Sequence, residues 1–585
     1  MVSDASLGPQ LSGASSGLDF DDILRIVAAA LTQGVLLALS VPRHGVTPAH
    51  TPSPVTAKES VMAGLELIAV VAVVVLLMGW LSRRTGLSEP LLLLGAGCLV
   101  GLTPPLASFT LSPEVVLFLF LPALLYWEAL TSSVREIRDN FRSIALQSTG
   151  LVLATAGAVA AVAHVLGYGW PVAFVLGAVL APTDAAAVAA VARAMPRRIL
   201  TVLRTESLLN DGTALVLLAV AVDVVTDERP FSWTGTALAF AESYAGGILV
   251  GGAVALLLIP VRRRLPDPLL HSVLSVATPF LSYLPAERLH VSGVLAVVTC
   301  GLMTTRFGPR VIGPDARIQA VAFWEVASYL LNSALFVLVG IQLPSAVEAL
   351  TSVSLVRALF AALAVSVAVI GTRIAWFYSV PYLVRLLDRR PRQRERRITG
   401  RQRLPLAWAG MRGAISLAAA LTVPATTAGG HVVGQRDAVV FLTAVVIVVT
   451  LTALGPTLPA VVRRAHFPED VGKSTELTLV RRQMSGAALH ALPELAERFG
   501  VAEQDTRRMV QDIEDRTTPA PATARRQESV RRLELALLQV KRDTLADLRD
   551  AGRIDDIVLR TVQRMLDVEA VRLKGKVLRP ATPSS

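Results

Sequence analysis

The chain has 585 residues, of which 53% are hydrophobic and only 17% charged, with a formal net charge of +11. Water-soluble domains average about 25% charged residues, so this composition excludes a soluble enzyme, a disulfide scaffold and a disordered chain. Of the 101 charged side chains, 40 fall in residues 466–585, which leaves a long apolar body followed by a charged tail. Long apolar stretches separated by short basic loops indicate an all-α polytopic membrane protein.

Residues 1–63 form an N-terminal extension holding one apolar segment, 23–41. Acidic Asp19, Asp21 and Asp22 precede it where a signal peptide would carry basic residues. It is read either as an added segment or as a start site assigned upstream of Met62. From residue 64 to 465 follow thirteen apolar segments: 64–82, 88–103, 113–131, 143–166, 170–193, 199–223, 235–260, 268–285, 290–305, 316–342, 354–384, 405–424 and 437–461.

Basic residues follow every odd-numbered segment: Arg83 and Arg84; Arg135, Arg138 and Arg142; Arg193, Arg197 and Arg198; Arg262 to Arg264; Arg306, Arg310 and Arg317; the run Arg389 to Arg403; Arg463 and Arg464. The other loops are nearly free of them. By the positive-inside rule the odd-numbered loops are cytoplasmic. Residues 466–585 then form a cytoplasmic helical tail, with helices expected at 474–499, 525–549 and 552–576. Topology accounts for the excess arginines, so no nucleic-acid partner is implied. Cys98 and Cys300 lie inside apolar runs and indicate neither a disulfide framework nor a metal cluster.

Polar residues inside the apolar body are costly and therefore point to function. The sixth segment carries Glu206-Ser207-Leu208-Leu209-Asn210-Asp211-Gly212-Thr213. Ser207 and Asp211 share one helix face, and Glu206 and Asn210 the adjoining stripe. The fifth segment carries Ala181-Pro182-Thr183-Asp184 in mid-span, where Pro182 interrupts the helix. The twelfth carries Gly410-Met411-Arg412-Gly413 and Pro424, a second interrupted helix. Broken helices that cross at the midplane expose carbonyls and helix ends suited to a small ion. Arg373 in the eleventh segment needs a carboxylate, and Glu206 is the candidate. Arg412 has two readings, a site residue or a side chain snorkelling to the cytoplasmic surface. Glu325 is expected at the interface, Asn332 bonded to a neighbouring helix, and His164 and His290 at the outer surface.

Thr205 to Gly212, Ala181 to Asp184, Gly410 to Leu417, Phe120 to Tyr126 and Val291 to Ala296 together resemble the NhaP-like sodium/proton antiporters of the first monovalent cation:proton antiporter family. The resemblance implies thirteen helices with two broken ones crossing at the ion site, a homodimer and alternating access. It implies a transporter rather than an enzyme, in the cell membrane, exchanging Na+ for H+ without a cofactor. It places the cation or protons on Asp211, with Ser207, Thr183, Asp184 and Asn210 around it, and pairs Glu206 with Arg373. One departure stands out. Many family members carry an acidic residue directly after the Leu-Pro stretch of the third helix, whereas Trp127 holds that place here and Glu128 follows. One residue is about 100° of helix rotation, so Glu128 is expected to turn away from the site. One exchangeable carboxylate implies electroneutral 1:1 exchange. The rival readings are a K+/H+ antiporter of the same fold and a gated cation channel.

Overall fold

Apolar runs with charges only at their ends satisfy their backbone groups internally as helices. In the computed structural model every described element is helical, with no strand among the described residues. Those residues are 54–103, 115–226 with gaps around 185–196, 233–387 with isolated gaps, 399–424, 435–467, 471–517 and scattered positions from 533 to 573. Segment 23–41, the loops 104–112 and 425–434, most of the run 389–403 and the Pro- and Ala-rich stretch 518–523, which reads as a linker in the tail, lie outside them.

In chain order the helices are α1 (Pro54–Thr85), α2 (Glu89–Gly101), α3 (Leu121–Thr131, entered through a π-helical turn, Val116–Phe120), α4 (Val134–Ala145), α5 (Val152–Val165), α6 (Trp170–Leu180), α7 (Arg197–Val225), α8 (Trp233–Arg264) and α9 (Pro268–Arg288). Then come α10 (Gly293–Phe307), α11 (Pro314–Glu348), α12 (Leu355–Leu387), α13 (Gly400–Trp408), α14 (Ala414–Leu421), α15 (Arg436–Leu454), α16 (Leu458–Ala465), α17 (Val471–Phe499) and α18 (Glu503–Thr517). Among the described residues eight helices are long and apolar enough to cross a membrane, and α2, α3 with its π-turn, α6 and α10 are shorter apolar helices.

Several boundaries differ from the sequence reading. α1 starts at Pro54, ten residues before the expected segment. Arg135, Arg138 and Arg142 sit on the amphipathic α4 rather than in a loop. Arg262 closes α8 instead of leaving it. Its side chain is buried and donates to the Thr278 hydroxyl at 2.8 Å and to Tyr126 at 3.4 Å. In the tail, α18 is an additional helix, with Met509, Val510 and Ile513 as its few apolar residues.

The chain divides at Pro468 into two units. In the first, one apolar cluster joins α1, α2, α11, α14 and α15, and a second joins α5, α6, α12 and α15. A third packs α3 against α7, α9 and α10. α2 and α11 approach at backbone distance. A Cβ at Gly97 would strike the Val337 carbonyl, and one at Gly340 the Leu94 carbonyl. Small residues permit such contact where lipid supplies no hydrophobic drive. In the second unit Leu538, Leu545, Leu566, Ala570 and Leu573 bury one another.

Candidate ion-binding site

The fifth and twelfth segments are both interrupted. α6 stops at Leu180, before Pro182, which can offer no N–H to continue the ladder. α13 stops at Trp408, and helix resumes at Ala414. The two non-helical stretches meet, the Asp184 N–H donating to the Met411 carbonyl at 2.9 Å.

Breaking a helix leaves partial charges at the new ends, and this chain meets each with a side chain. Arg412 lies on the carbonyl ends. Its Nε donates to the Leu180 carbonyl at 2.8 Å and its Nη1 to the Gly410 carbonyl at 2.6 Å. Its backbone N–H donates to Thr450 on α15 at 3.2 Å. Arg412 is 1% exposed, so the snorkelling reading is corrected: carbonyls at the helix breaks, not the aqueous surface, receive the guanidinium. Asp184 lies on the amide ends. Its Oδ1 accepts the Ala187 N–H at 3.1 Å, and its carboxylate fills the space a Cβ at Gly413 would need, beside the start of α14.

α7 runs unbroken past this crossing. Thr205, Glu206, Ser207, Asn210 and Asp211 are each no more than 3% exposed. The Ser207 hydroxyl donates to the Thr183 carbonyl at 2.6 Å, and the Asn210 amide to the Thr183 hydroxyl at 2.8 Å. Asp211 makes no hydrogen bond or ion pair among the described residues. On the adjoining stripe Glu206 accepts from Arg373 Nη1 at 2.7 Å, both side chains being buried. Arg373 Nε also donates to the Leu406 carbonyl at 3.2 Å.

Asp211, Asp184, Glu128, Ser207 and Thr183 line one cavity of about 30 Å³, room for one water molecule or one bare monovalent cation. A larger cavity of about 410 Å³ adjoins it. Leu124, Glu128, Asn332 and Phe336 line both. The larger one is also lined by Glu89, Thr131, Arg204 and Tyr329, so it reaches the helix ends that carry Arg83, Arg84 and Arg135. It is a vestibule on the basic-loop side.

Two further expectations are corrected here. Glu128 does not turn away. It stands four residues from Leu124 on the face of α3 that borders both cavities, while Trp127 borders only the vestibule. Asn332 bonds its own helix, donating to the Ser328 carbonyl at 3.0 Å, and its side chain stands at the neck between the cavities. Glu325 is exposed. His164 bonds the Tyr168 carbonyl at 3.0 Å and stacks on Trp170. Sequence reasoning did not single out Arg204, Thr450 or Phe336; an Arg on the basic-loop side and a Thr or Phe in an apolar run carry no mark of a site.

The sodium/hydrogen exchanger transmembrane model matches residues 69–464. The chain belongs to the sodium/hydrogen exchanger family. It is 44% identical, over 88% of its length and 97% of the relative's, to an uncharacterized Na+/H+ exchanger of Mycobacterium bovis. It is 29% identical, over 69% of its length and 62% of the relative's, to a sodium, potassium, lithium and rubidium/H+ antiporter of Bacillus pumilus. The sodium/proton antiporter MjNhaP1 of Methanocaldococcus jannaschii aligns with 70% of the chain and all of its own at a TM-score of 0.55 and 18% identity. That similarity shows a shared fold. The exchanger is thus a multi-pass cation/proton antiporter and not an enzyme, and the channel reading falls.

Proposed function

We propose that the exchanger carries Na+ against H+, one for one, by alternating access around Asp211. It does so as a homodimer in the cell membrane, with the tail on the cytoplasmic side. The observation that carries this reading is the cavity of about 30 Å³ on which three carboxylates converge. Hard oxygen donors suit an alkali cation. Asp211 supplies a charged oxygen. The Ser207 hydroxyl, which donates to Thr183, and the Thr183 carbonyl both keep lone pairs for the ion.

The stoichiometry follows from what each acid already does. Asp184 is held by the Ala187 N–H as a helix cap. Glu128 lines the vestibule together with Arg204, and the one-for-one reading takes it to keep one charge state through the cycle. Asn210 is an amide and carries no proton. Asp211 is left to take either one cation or one proton, so a cycle moves no net charge. The proton gradient drives it, without ATP or a redox cofactor.

Everted vesicles with a pH-sensitive dye test the reading. Addition of Na+ should dequench the dye in the parent. Asp211→Asn should abolish the response and leave thermal stability nearly unchanged. In liposomes a potassium–valinomycin potential should alter neither the initial rate nor the end point. A clear potential dependence would reject the 1:1 cycle and make Glu128 or Asp184 a second proton carrier. A wider cation range is the second reading, favoured by the name of the Bacillus pumilus relative; equal responses to Na+, K+ and Li+ would establish it.

A further inference from the structure

Arg204 stands where a cation exchanger has least obvious use for a positive charge. It lies on α7 seven residues before Asp211 and three before Ser207, on the same helix face. At 1.5 Å per residue that is about 10 Å from the ion cavity along the axis. Its side chain is exposed and lines the vestibule but not the inner cavity. It forms no hydrogen bond or ion pair among the described residues. The bland account, a topology-setting arginine, does not explain why it faces the ion path.

Glu128 resolves this. It is the acid that lines both cavities, at the neck with Leu124, Asn332 and Phe336. Arg204 is near enough for its charge to act on Glu128, although the two are not in direct contact. Glu128 therefore stands between two cations, a fixed one on the vestibule side and a transported one on the other. We propose that Arg204 sets the cation affinity of the exchanger on its basic-loop side, by competing with the transported ion for Glu128. The inference rests on the exchange reading above and adds a determinant of affinity to it.

With the site empty, Glu128 faces Arg204. An arriving cation takes Glu128 over, and the uncovered guanidinium repels the ion, so binding from this side is weaker than the three acids alone would make it. When the ion leaves, Arg204 reclaims the carboxylate and the cation does not rebind. A unit charge about 10 Å away, at an effective dielectric between that of a protein surface and that of water, changes ion occupancy by about two- to fifteenfold.

The test is the Na+ dependence of exchange in everted vesicles, with the basic-loop side facing the bath; Li+ or K+ replaces Na+ if the parent prefers it. Arg204→Gln should lower the KM by about two- to fifteenfold. Arg204→Lys should keep the parent KM. In right-side-out vesicles neither variant should shift the KM. A second measurement works within one membrane preparation. Arg204→Cys in a Cys98→Ser, Cys300→Ser background is treated from the bath with a neutral or a trimethylammonium-bearing methanethiosulfonate. The cationic adduct should restore the higher KM and the neutral one should not. A KM unmoved by Arg204→Gln, or neutral and cationic adducts that behave alike, overturns the proposal. A parent without cation/proton exchange rejects the transport reading and this inference with it; an active parent with an unresponsive KM rejects this inference alone.

Discussion

Glu206 and Asp211 are carboxylates on the same helix, five residues apart and equally buried, yet they differ in what they touch. Glu206 is neutralised by Arg373 at 2.7 Å, with only one oxygen engaged; its Oε2 and Arg373 Nη2 have no hydrogen-bond partner. Removing one member of a buried pair strands the other charge and typically costs about 3–5 kcal/mol. Glu206→Gln and Arg373→Ala should each lower thermal stability or yield to that degree. The double swap, Glu206→Arg with Arg373→Glu, should recover part of the loss. Single variants as stable as the parent would show that the pair holds nothing together. Asp211→Asn is the contrasting case, because no cationic side chain pairs with Asp211 among the described residues. Charge in an apolar run was the signal that made these residues legible from sequence. It failed for Arg204 and Arg262. Both lie where the positive-inside rule already supplies a reason for an arginine, so the sequence marks neither as a buried or path-lining group.

At the level of elements, the crossing of the fifth and twelfth segments depends on a glycine. Gly413 has its neighbour Asp184 so close that any Cβ would displace the carboxylate. Gly413→Ala should therefore raise the KM for the cation by about tenfold or more, the effect of roughly 1.4 kcal/mol at the site. Folding should be kept, since the strain falls on one side chain rather than on the core. A normal KM would mean that the Asp184 position is not critical. Both interruptions were visible beforehand, through Pro182 and the Gly410–Gly413 stretch. What receives Arg412 was not. Its partners are the carbonyls of Leu180 and Gly410, and a backbone carbonyl leaves no trace in residue identity. Glu128 was misjudged for a related reason. A helix face spans an arc rather than one position, and Leu124 and Glu128, one turn apart, both lie on it.

At the scale of the whole molecule, alternating basic loops orient the chain, and single cysteines in a Cys98→Ser, Cys300→Ser background can check that orientation. Leu106→Cys and Glu228→Cys should react with an impermeant thiol reagent applied to intact cells. Arg138→Cys and Glu395→Cys should react only after permeabilisation. The reverse pattern would invert the topology and put the vestibule on the outer face. The contact between α2 and α11 bears on how that vestibule works. Gly97 and Gly340 bring the two backbones together with no side chains between them, and Tyr329 on α11 donates to Glu89 on α2 at 2.6 Å. The two helices form a single slab, and it supplies one side of the vestibule, from Glu89 and Leu93 to Asn332 and Phe336. Interlocked backbones cannot slide past each other by small steps. The vestibule is thus a vice with one fixed jaw. In the alternating access proposed above, the travelling jaw is the α7 side, which carries Arg204 and Asp211 as it moves.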